Sequence, residues 1–345
     1  MSFSRILVRA ANWVGDAVMS LPALRVIRAR FPQAEISVLA RPSVADIYAR
    51  ERSADRVIAY TAGPGAGDWA GRWKAARQLR DLRFEAAILL PNSFDAALVA
   101  WLAGVRRRIG YSHDGRRWLL TDPVPRPRPG EIPVHESFYY LELLRRAGLL
   151  DNLPEAPEVR LDAREGAAAA GERRFEAAGL ARGVIGVSPG AAFGGAKRWF
   201  PDRFAAAATR VARTTGDCVA IFGSATEHEL CATVARLVEA AGVSVRNFAG
   251  ETSLREFIEL AAACRVFLTN DSGAMHIASA LGVPTVAVFG ATDHRATGPA
   301  GAWSRVVREP VDCAPCKLRE CPIDHRCMER VSSERVAETA LELLK

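Results

Sequence analysis

The chain has 345 residues, of which 49% are hydrophobic and 25% charged, as expected for a soluble globular protein with two domains of ordinary size. Arg5 and Arg9 interrupt the apolar residues at the N-terminus, which excludes a signal peptide there, and no apolar run approaches the length of a membrane span. These features predict a cytoplasmic protein whose seven cysteines are mostly reduced.

The net charge of +7 is unevenly distributed along the chain. Residues 1–150 contain 23 Lys and Arg against 14 Asp and Glu, a net charge of +9, whereas residues 151–345 contain 23 against 25. A basic N-terminal half favours a nucleic acid, an anionic membrane surface or a phosphorylated substrate, and a solvated Arg-rich surface is the alternative. No nucleic-acid-binding motif accompanies the charge, so we predict no nucleic acid partner.

Buried strands alternate with helices in both halves, which predicts an α/β fold with parallel sheets and crossover helices. In the first half, one helix is predicted over residues 16–30, a loop over residues 63–67 (GPGAG), and an exposed loop or flap over residues 112–133. The predicted strands cover residues 5–10, 35–39, 56–60, 86–90, 106–111, 184–187, 218–222, 243–246, 266–269 and 285–289. The predicted domains are residues 1–155 and 156–330, with a final helix in 331–345 that could cross back to the first domain.

The stretch Thr269–His276 predicts a strand that ends in a polar turn and a helix that begins near Gly273. Unpaired N–H groups and the positive end of a helix dipole suit a phosphate, whereas Asp271 or Ser272 could instead simply cap a structural helix. Four other loops follow strands in this half, and such loops gather at one edge of a parallel sheet. A ligand site at this edge is therefore predicted.

Several residues in these loops could carry chemistry. No G-x-G-x-x-G fingerprint or P-loop is present, which argues against a nicotinamide enzyme and a P-loop nucleotidase. Lys197 ends a Gly-rich loop and could bind a phosphate, and Glu227 or Glu229 could accept hydrogen bonds from a ribose. In the first half, Asp16 lies at a strand-to-helix turn, where it is either a general base or a helix cap.

Six motifs stand out along the chain: WVGDAVMS (13–20), LPNSFDAAL (90–98), PGAAFGGAKRW (189–199), FGSATEHE (222–229), AGETSL (249–254) and NDSGAMH (270–276). In these motifs and their order the chain resembles the ADP-heptose:lipopolysaccharide heptosyltransferases of glycosyltransferase family 9, and it is most similar to the branch called heptosyltransferase II. The resemblance implies the GT-B architecture, in which two Rossmann-like domains face each other across a cleft. It also implies a metal-independent, inverting transfer of heptose from ADP-heptose to the inner core of lipopolysaccharide.

The resemblance also assigns roles to residues of this chain. Asp16 would be the general base and Lys197 would hold the departing diphosphate. The implied donor-binding residues are Ala191, Ala192, Lys197, Glu227, Glu229, Thr252, Ser253, Asp271, Ser272, Gly273 and His276. The acceptor-binding candidates are Asn92, Ser93, Arg106, Arg107, Arg116 and Arg117.

The resemblance carries expectations about partners as well. The donor would be ADP-heptose and the acceptor a lipopolysaccharide core. A monomer in contact with the cytoplasmic face of the inner membrane is expected. A related transferase with another nucleotide sugar or core position, as in heptosyltransferases I and III, is the alternative within the class, and a non-catalytic nucleotide-binding protein is the alternative outside it.

Four cysteines near the C-terminus, Cys313, Cys316, Cys321 and Cys327, form a separate feature with His325 inside it. Such a cluster in a cytosolic protein suggests a structural zinc ion, although the spacing is not that of paired C-x-x-C knuckles. Labile disulfides and free packed thiols are the alternatives. No cofactor is expected to be required for catalysis.

Overall fold

A computed structural model describes residues 3–63, 67–180 and 182–345. The chain divides into two compact units, Met1–Asp162 and Ala163–Lys345. The first unit extends beyond the predicted boundary at residue 155 because the guanidinium of Arg25 donates to the carbonyls of Glu158 and Arg160, at 3.2 and 2.6 Å. Residues 64–66 of the predicted loop 63–67 lie outside the described residues.

The described part of the first unit contains a six-stranded parallel sheet in the order β3-β2-β1-β4-β5-β6. Its strands are β1 (Arg5–Arg9), β2 (Glu35–Ala40), β3 (Arg56–Ala59), β4 (Ala86–Leu89), β5 (Arg107–Tyr111) and β6 (Asp122–Val124). The predicted loop or flap over residues 112–133 was wrong in part, since it contains β6. Pro123 is tolerated there because β6 is an edge strand.

Helices cover both faces of this sheet. They are α1 (Val14–Met19), α2 (Leu21–Arg30), α3 (Pro42–Tyr48), α4 (Trp69–Asp81), α5 (Phe94–Leu102) and α6 (Glu136–Arg146). The helix predicted over residues 16–30 is divided at Ser20, whose hydroxyl donates to the Ala17 carbonyl at 2.8 Å and lies 3.0 Å from the Tyr48 hydroxyl. Pro22 then occupies the first turn of α2, where no N–H is needed.

The second unit repeats the architecture with a six-stranded parallel sheet, counted over the described residues, in the order β12-β11-β10-β7-β8-β9. The strands are β7 (Val184–Ser188), β8 (Cys218–Ile221), β9 (Val245–Asn247), β10 (Val266–Asn270), β11 (Thr285–Val288) and β12 (Ser304–Val307). The helices are α7 (Arg164–Ala177), α8 (Pro201–Thr215), α9 (His228–Ala240), α10 (Leu254–Ala262), α11 (Gly273–Ala280), α12 (His294–Thr297), α13 (Arg326–Glu329) and α14 (Ser333–Leu343). The final helix α14 packs against α8 and belongs to this second unit.

Both sheets reverse their strand order at one point, between β1 and β4 in the first unit and between β7 and β10 in the second. At such a point the loops after the two strands leave in opposite directions and open a crevice, which is where α/β proteins bind ligands. Of the candidate residues, Asp16 follows β1, Asn92 follows β4, Lys197 follows β7 and Asp271 follows β10. Glu227 and Glu229 follow β8 instead, and Thr252 and Ser253 follow β9. Among the described residues, no helix is both long enough and apolar enough to cross a membrane.

The close packing of α7 on α10 gives a test of the second unit's core. We expect Gly171→Ala to lower the free energy of unfolding by about 1–3 kcal/mol through overpacking, because a methyl carbon would lie 2.0 Å from the Glu259 carbonyl oxygen. Gly166→Ala in the same helix would meet nothing within 4 Å and should raise it by up to about 1 kcal/mol. Denaturant titration of both variants measures the difference, and equal effects would contradict the packing.

Candidate functional site

The Gly-rich loop between β7 and α8 is held at both ends by one side chain. Asn270, the last residue of β10, is fully buried. Its Oδ1 accepts from the backbone N–H of Trp199 at 2.9 Å, and its Nδ2 donates to the Pro189 carbonyl at 2.7 Å. The loop of residues 190–198 is therefore fixed at the point where the strand order reverses.

Lys197 of this loop forms a buried ion pair. Its Nζ lies 2.6 Å from Oδ2 of Asp271, and the two side chains are 13% and 6% exposed. The hydroxyl of Thr292 donates to the same carboxylate oxygen at 2.5 Å. The ammonium also lies 4.9 Å from the centre of the Phe193 ring, close enough for a cation–π contact. These contacts fix one positive charge beside the residues that begin α11.

The start of α11 supplies hydrogen-bond donors beside this charge. Ser272 is the N-cap, and its hydroxyl lies 3.5 Å from the N–H of Met275 and 3.1 Å from the Thr269 hydroxyl. The N–H groups at the start of a helix have no partner within that helix and carry the positive end of its dipole. Gly273, the first residue of α11, adds no side chain that would obstruct a ligand. A cation, a hydroxyl and a helix N-terminus thus meet here, as a phosphate requires.

The structure separates the two ribose candidates. The Glu227 carboxylate lies against Gly190, where an added Cβ would come within 2.1 Å of it, and it accepts from the Ser224 N–H at 2.9 Å. Glu229 is 81% exposed and pairs with Arg236. Glu227 therefore borders the Gly-rich loop, and Glu229 faces solvent.

The remaining donor candidates fall into different environments. Ser253 caps α10, because its hydroxyl accepts from the Glu256 N–H at 3.3 Å and the Glu256 carboxylate accepts from the Ser253 N–H at 2.9 Å. Thr252 before it is half-buried. In the Gly-rich loop Ala191 is buried and Ala192 is exposed, and His276 is buried in the first turns of α11.

A second cluster of polar groups forms in the first unit. Asp16 is half-buried in the first turn of α1, which follows β1, and Glu136 begins α6, which packs against α1. Burial, and after it the Asp16 carboxylate, raises the pKa of Glu136 to about 7, although Arg126 opposes both effects. The pKa of buried Tyr140, one turn along α6, is raised by burial and by the same two carboxylates. Two carboxylates thus share one site.

The loop after β4 reaches the same region. The Asn92 amide donates to the Tyr139 hydroxyl at 2.8 Å, and the Arg126 guanidinium lies 5.8 Å from the centre of the Tyr139 ring. Ser93 caps α5 at 3.4 Å from the Ala96 N–H. Sequence reasoning missed Glu136 and Tyr139, although their i, i+3 spacing at the start of α6 places them on one face of the helix.

The arginines proposed for the acceptor divide into two groups. Arg116 is fully buried and donates to the carbonyls of Tyr111, Pro91 and Ser93 at 2.9, 2.5 and 3.0 Å. Burial lowers its pKa to about 10. Arg116 is thus a structural residue that supports the loop after β4, which corrects its assignment as an acceptor ligand. Of the others, Arg107 pairs with Asp122, and Arg106 and Arg117 are exposed.

The four C-terminal cysteines are free thiols. Burial, followed by the nearby thiols of Cys313, Cys321 and Cys316, raises the pKa of Cys327, so the four side chains lie in one neighbourhood. In the described part of the chain, no group of three or more His, Cys, Asp or Glu side chains is arranged to hold a metal ion. The geometry therefore gives no support to the zinc ion suggested by the sequence.

Comparison with known proteins identifies a family and similar solved structures. Residues 72–326 match the family described as glycosyltransferase family 9 (heptosyltransferase). Lipopolysaccharide heptosyltransferase 2 of Escherichia coli (strain K12) is 35% identical over 309 residues, 88% of each chain, and its counterpart in Salmonella typhimurium is 34% identical over the same share. The solved structure of E. coli ADP-heptose lps heptosyltransferase II is similar to this chain with a TM-score of 0.82 and 32% sequence identity. The match covers 99% of this chain and 98% of that one.

The raised pKa of Glu136 predicts a pH-dependent stability. Because this pKa lies near 7 instead of its ordinary 4.5, the stability it contributes is fully present below about pH 4.5 and is lost as the pH rises through 7. Between pH 5 and pH 8 the wild type should lose on the order of 1–2 kcal/mol relative to Glu136→Gln, which cannot ionise. Urea titrations at both pH values measure this loss. Glu229→Gln, at an exposed carboxylate, serves as the control, and parallel pH profiles for wild type and Glu136→Gln would refute the assignment.

Proposed function

The chain belongs to glycosyltransferase family 9 and is a glycosyltransferase with two Rossmann-like α/β units of the GT-B class, and from this premise we propose the reaction it catalyses. The proposed reaction moves L-glycero-D-manno-heptose from ADP-heptose to the inner core of lipopolysaccharide, heptosyl-Kdo2-lipid A. The names of its relatives support the sugar and the acceptor. The observation that carries the proposal is the meeting of Lys197, Asp271 and the start of α11 where the second sheet reverses its strand order.

This meeting point suits the ADP diphosphate of the donor. As the bond from the sugar to the diphosphate breaks, negative charge grows on the departing phosphate. Fixed positive groups stabilise that charge most effectively because they need no reorganisation during the reaction. Lys197 supplies an ammonium held by a buried partner, and the N–H of Gly273 and the hydroxyl of Ser272 supply donors.

The other donor contacts follow from the surrounding loops. Glu227 borders the Gly-rich loop and would accept hydrogen bonds from the ribose hydroxyls. Thr252 would lie on the adenine side, and Ala191 and Ala192 would line the approach to the phosphates. His276 and Asp271 would lie against the heptose and phosphates, with Asp271 also orienting Lys197.

The proposed mechanism is a single displacement with inversion. Asp16 takes the proton from the acceptor hydroxyl as that oxygen attacks the anomeric carbon, and ADP leaves with the electron pair of the broken bond. Glu136 lies beside Asp16, so its ionisation changes the field at the proposed base. Positive charge from Lys197 and α11 performs the role that a metal ion has in other transferases, so the mechanism needs none.

The proposed acceptor carries phosphates and carboxylates, which suits the basic first unit. Arg106, Arg107, Arg117 and Arg126 are the proposed contacts, and Asn92 and Ser93 after β4 lie at the crevice of this unit. The acceptor is a lipid, so we place the reaction at the cytoplasmic face of the inner membrane. The protein would act there as a monomer.

Asp16→Asn tests the base. We expect transfer to fall about 100- to 10,000-fold, because an amide cannot accept the hydroxyl proton, while ADP-heptose binding stays within about twofold. Heptose transfer is measured with purified acceptor, and donor affinity by calorimetry. Asp46→Asn in α3 is the control, and undiminished turnover of Asp16→Asn would refute its role.

Lys197→Ala tests the diphosphate site. The dissociation constant for ADP-heptose should rise about tenfold to a hundredfold, because a charge-assisted contact to the phosphates is lost. Lys74→Ala, in the first unit, should leave the constant unchanged, and thermal unfolding shows whether the second unit remains folded. An unaltered affinity would remove Lys197 from the site.

A panel of nucleotide sugars and truncated acceptors distinguishes related transferases, and donor binding without any transfer would favour a nucleotide-binding protein.

A further inference from the structure

Trp13 and four further tryptophans of the first unit expose much of their side chains. Trp69, Trp73, Trp101 and Trp118, here called the tryptophan face, are 58%, 54%, 45% and 65% exposed. The chain contains seven tryptophans, so more than half of them belong to this set. Isolated apolar residues on a surface are ordinary, whereas a contiguous exposed group marks an interaction site.

Ring contacts and helix packing join the four side chains into one surface. The Trp118 ring lies 6.2 Å from the Trp101 ring and 6.0 Å from Phe94, at the other end of α5. On α4, which packs against α5, Trp69 and Trp73 are one turn apart. The Arg80 guanidinium lies 5.8 Å from the Trp73 ring and donates to the Leu102 carbonyl of α5 at 2.7 Å. The tryptophan face therefore crosses both helices.

The interior side of these helices is already occupied. Ala76 and Leu79 of α4 and Leu98 of α5 are buried in the core that also contains Leu89 of β4. The tryptophans are not needed to complete that core, because they stand on its outer side. The four tryptophans therefore remain exposed in the folded unit.

Basic residues surround the tryptophan face. Residues 69–83 contain five Lys and Arg and one Asp, and Lys74, Arg77 and Arg80 among them are exposed. Arg117, beside Trp118, is exposed as well. The Asp95 carboxylate of α5 is already paired with Arg72 at 2.6 Å. The surface thus combines amphipathic indoles with a net positive charge.

We propose that the tryptophan face docks the first unit on an anionic phospholipid bilayer. Indole rings favour the boundary between headgroups and acyl chains, where one edge is apolar and the other is hydrated. Lys and Arg beside them are attracted to the negative surface of a leaflet that contains acidic lipids. Self-association through this face is disfavoured, because a two-fold contact would bring the same basic residues of two copies together.

This docking deepens the proposed function, since the proposed acceptor is itself anchored in a membrane by its lipid. The binding requires no acceptor, however, and can be tested without it. Vesicles of phosphatidylglycerol and phosphatidylethanolamine are the probe, and vesicles of phosphatidylcholine alone are the comparison.

The test measures the partition of the full-length protein onto vesicles by sedimentation. Trp69→Ala combined with Trp73→Ala should lower the partition coefficient at least about tenfold, and Lys74→Glu combined with Arg77→Glu should do the same. Trp303→Ala, at a 60% exposed tryptophan of the second unit, and Arg173→Glu, on exposed α7, are matched controls that should stay within about twofold. High salt should weaken wild-type binding.

A second measurement keeps the proposal testable if a variant fails to fold. Lipids brominated on the acyl chain should quench the tryptophan fluorescence of Trp13→Phe combined with Trp303→Phe, a variant that retains the whole tryptophan face and lacks the other exposed tryptophans. The proposal would be overturned by an absence of quenching or by equal binding of the two double variants and the controls. Equal binding to phosphatidylcholine, or a dimer that the wild type forms and the double variants do not, would overturn it as well.

Transfer to a lipid-free core oligosaccharide separates this docking from the reaction. If the double variants lose vesicle binding and retain transfer, docking is supported. Absence of transfer in all proteins, wild type included, would contradict the proposed function alone.

Discussion

The arrangement of the candidate donor site depends on the two hydrogen bonds of the Asn270 side chain. A buried amide must satisfy both its oxygen and its nitrogen, and Asn270 does so on Trp199 and Pro189, which stand at the two ends of the Gly-rich loop. This loop contains three glycines, which by themselves would leave its backbone with wide conformational freedom. The amide ties it to the end of β10, one residue before Asp271, and so allows Lys197 and Asp271 to meet in a buried ion pair. An ion pair of this kind is held by geometry that other contacts impose. Here the imposing contacts are Asn270 and the hydroxyl of Thr292.

The two units use the same topology to gather different chemistry. In each, the loops after the first and fourth strands flank the reversal of strand order. In the second unit those loops carry Lys197 and the start of α11, which together favour an anion. In the first unit they carry Asp16 and Asn92, and α6 adds Glu136, so the same position holds two carboxylates and a Tyr139 hydroxyl. The fold supplies a crevice, and the side chains at its edge determine whether the crevice favours an anion or brings carboxylates together.

Sequence patterns predicted the central strands well because these strands are buried on both faces and contain continuous apolar runs, such as residues 6–8 of β1 and residues 266–268 of β10. They failed for β6 and β12, which are edge strands with exposed or polar positions and give no such run. The position of Lys197 and Asp271 could be predicted because each follows a recognisable strand. Glu136 could not, since its significance arises only when α6 packs on α1 and brings it to Asp16. The structural role of Arg116 was equally hidden, because a run of arginines gives no sign of which guanidinium turns inward.

The positions of the arginines show how much of the positive charge of the first half lies at the surface. Part of its surplus charge never reaches solvent: Arg116 is buried among carbonyl oxygens, and Arg9 is buried where it donates to the Leu39 carbonyl and lies 4.6 Å from the Tyr60 ring. Burial lowers the pKa of Arg9 to about 10, so these cations are kept by the hydrogen bonds and ring contacts around them. A net charge of +9 therefore overstates the positive field that a ligand meets. What remains at the surface includes Lys74, Arg77 and Arg80 of α4 beside exposed indoles, and Arg126 beside Tyr139 at the crevice. The positive side chains of this unit therefore lie in three settings: buried among carbonyls and rings, exposed on α4, and at the crevice.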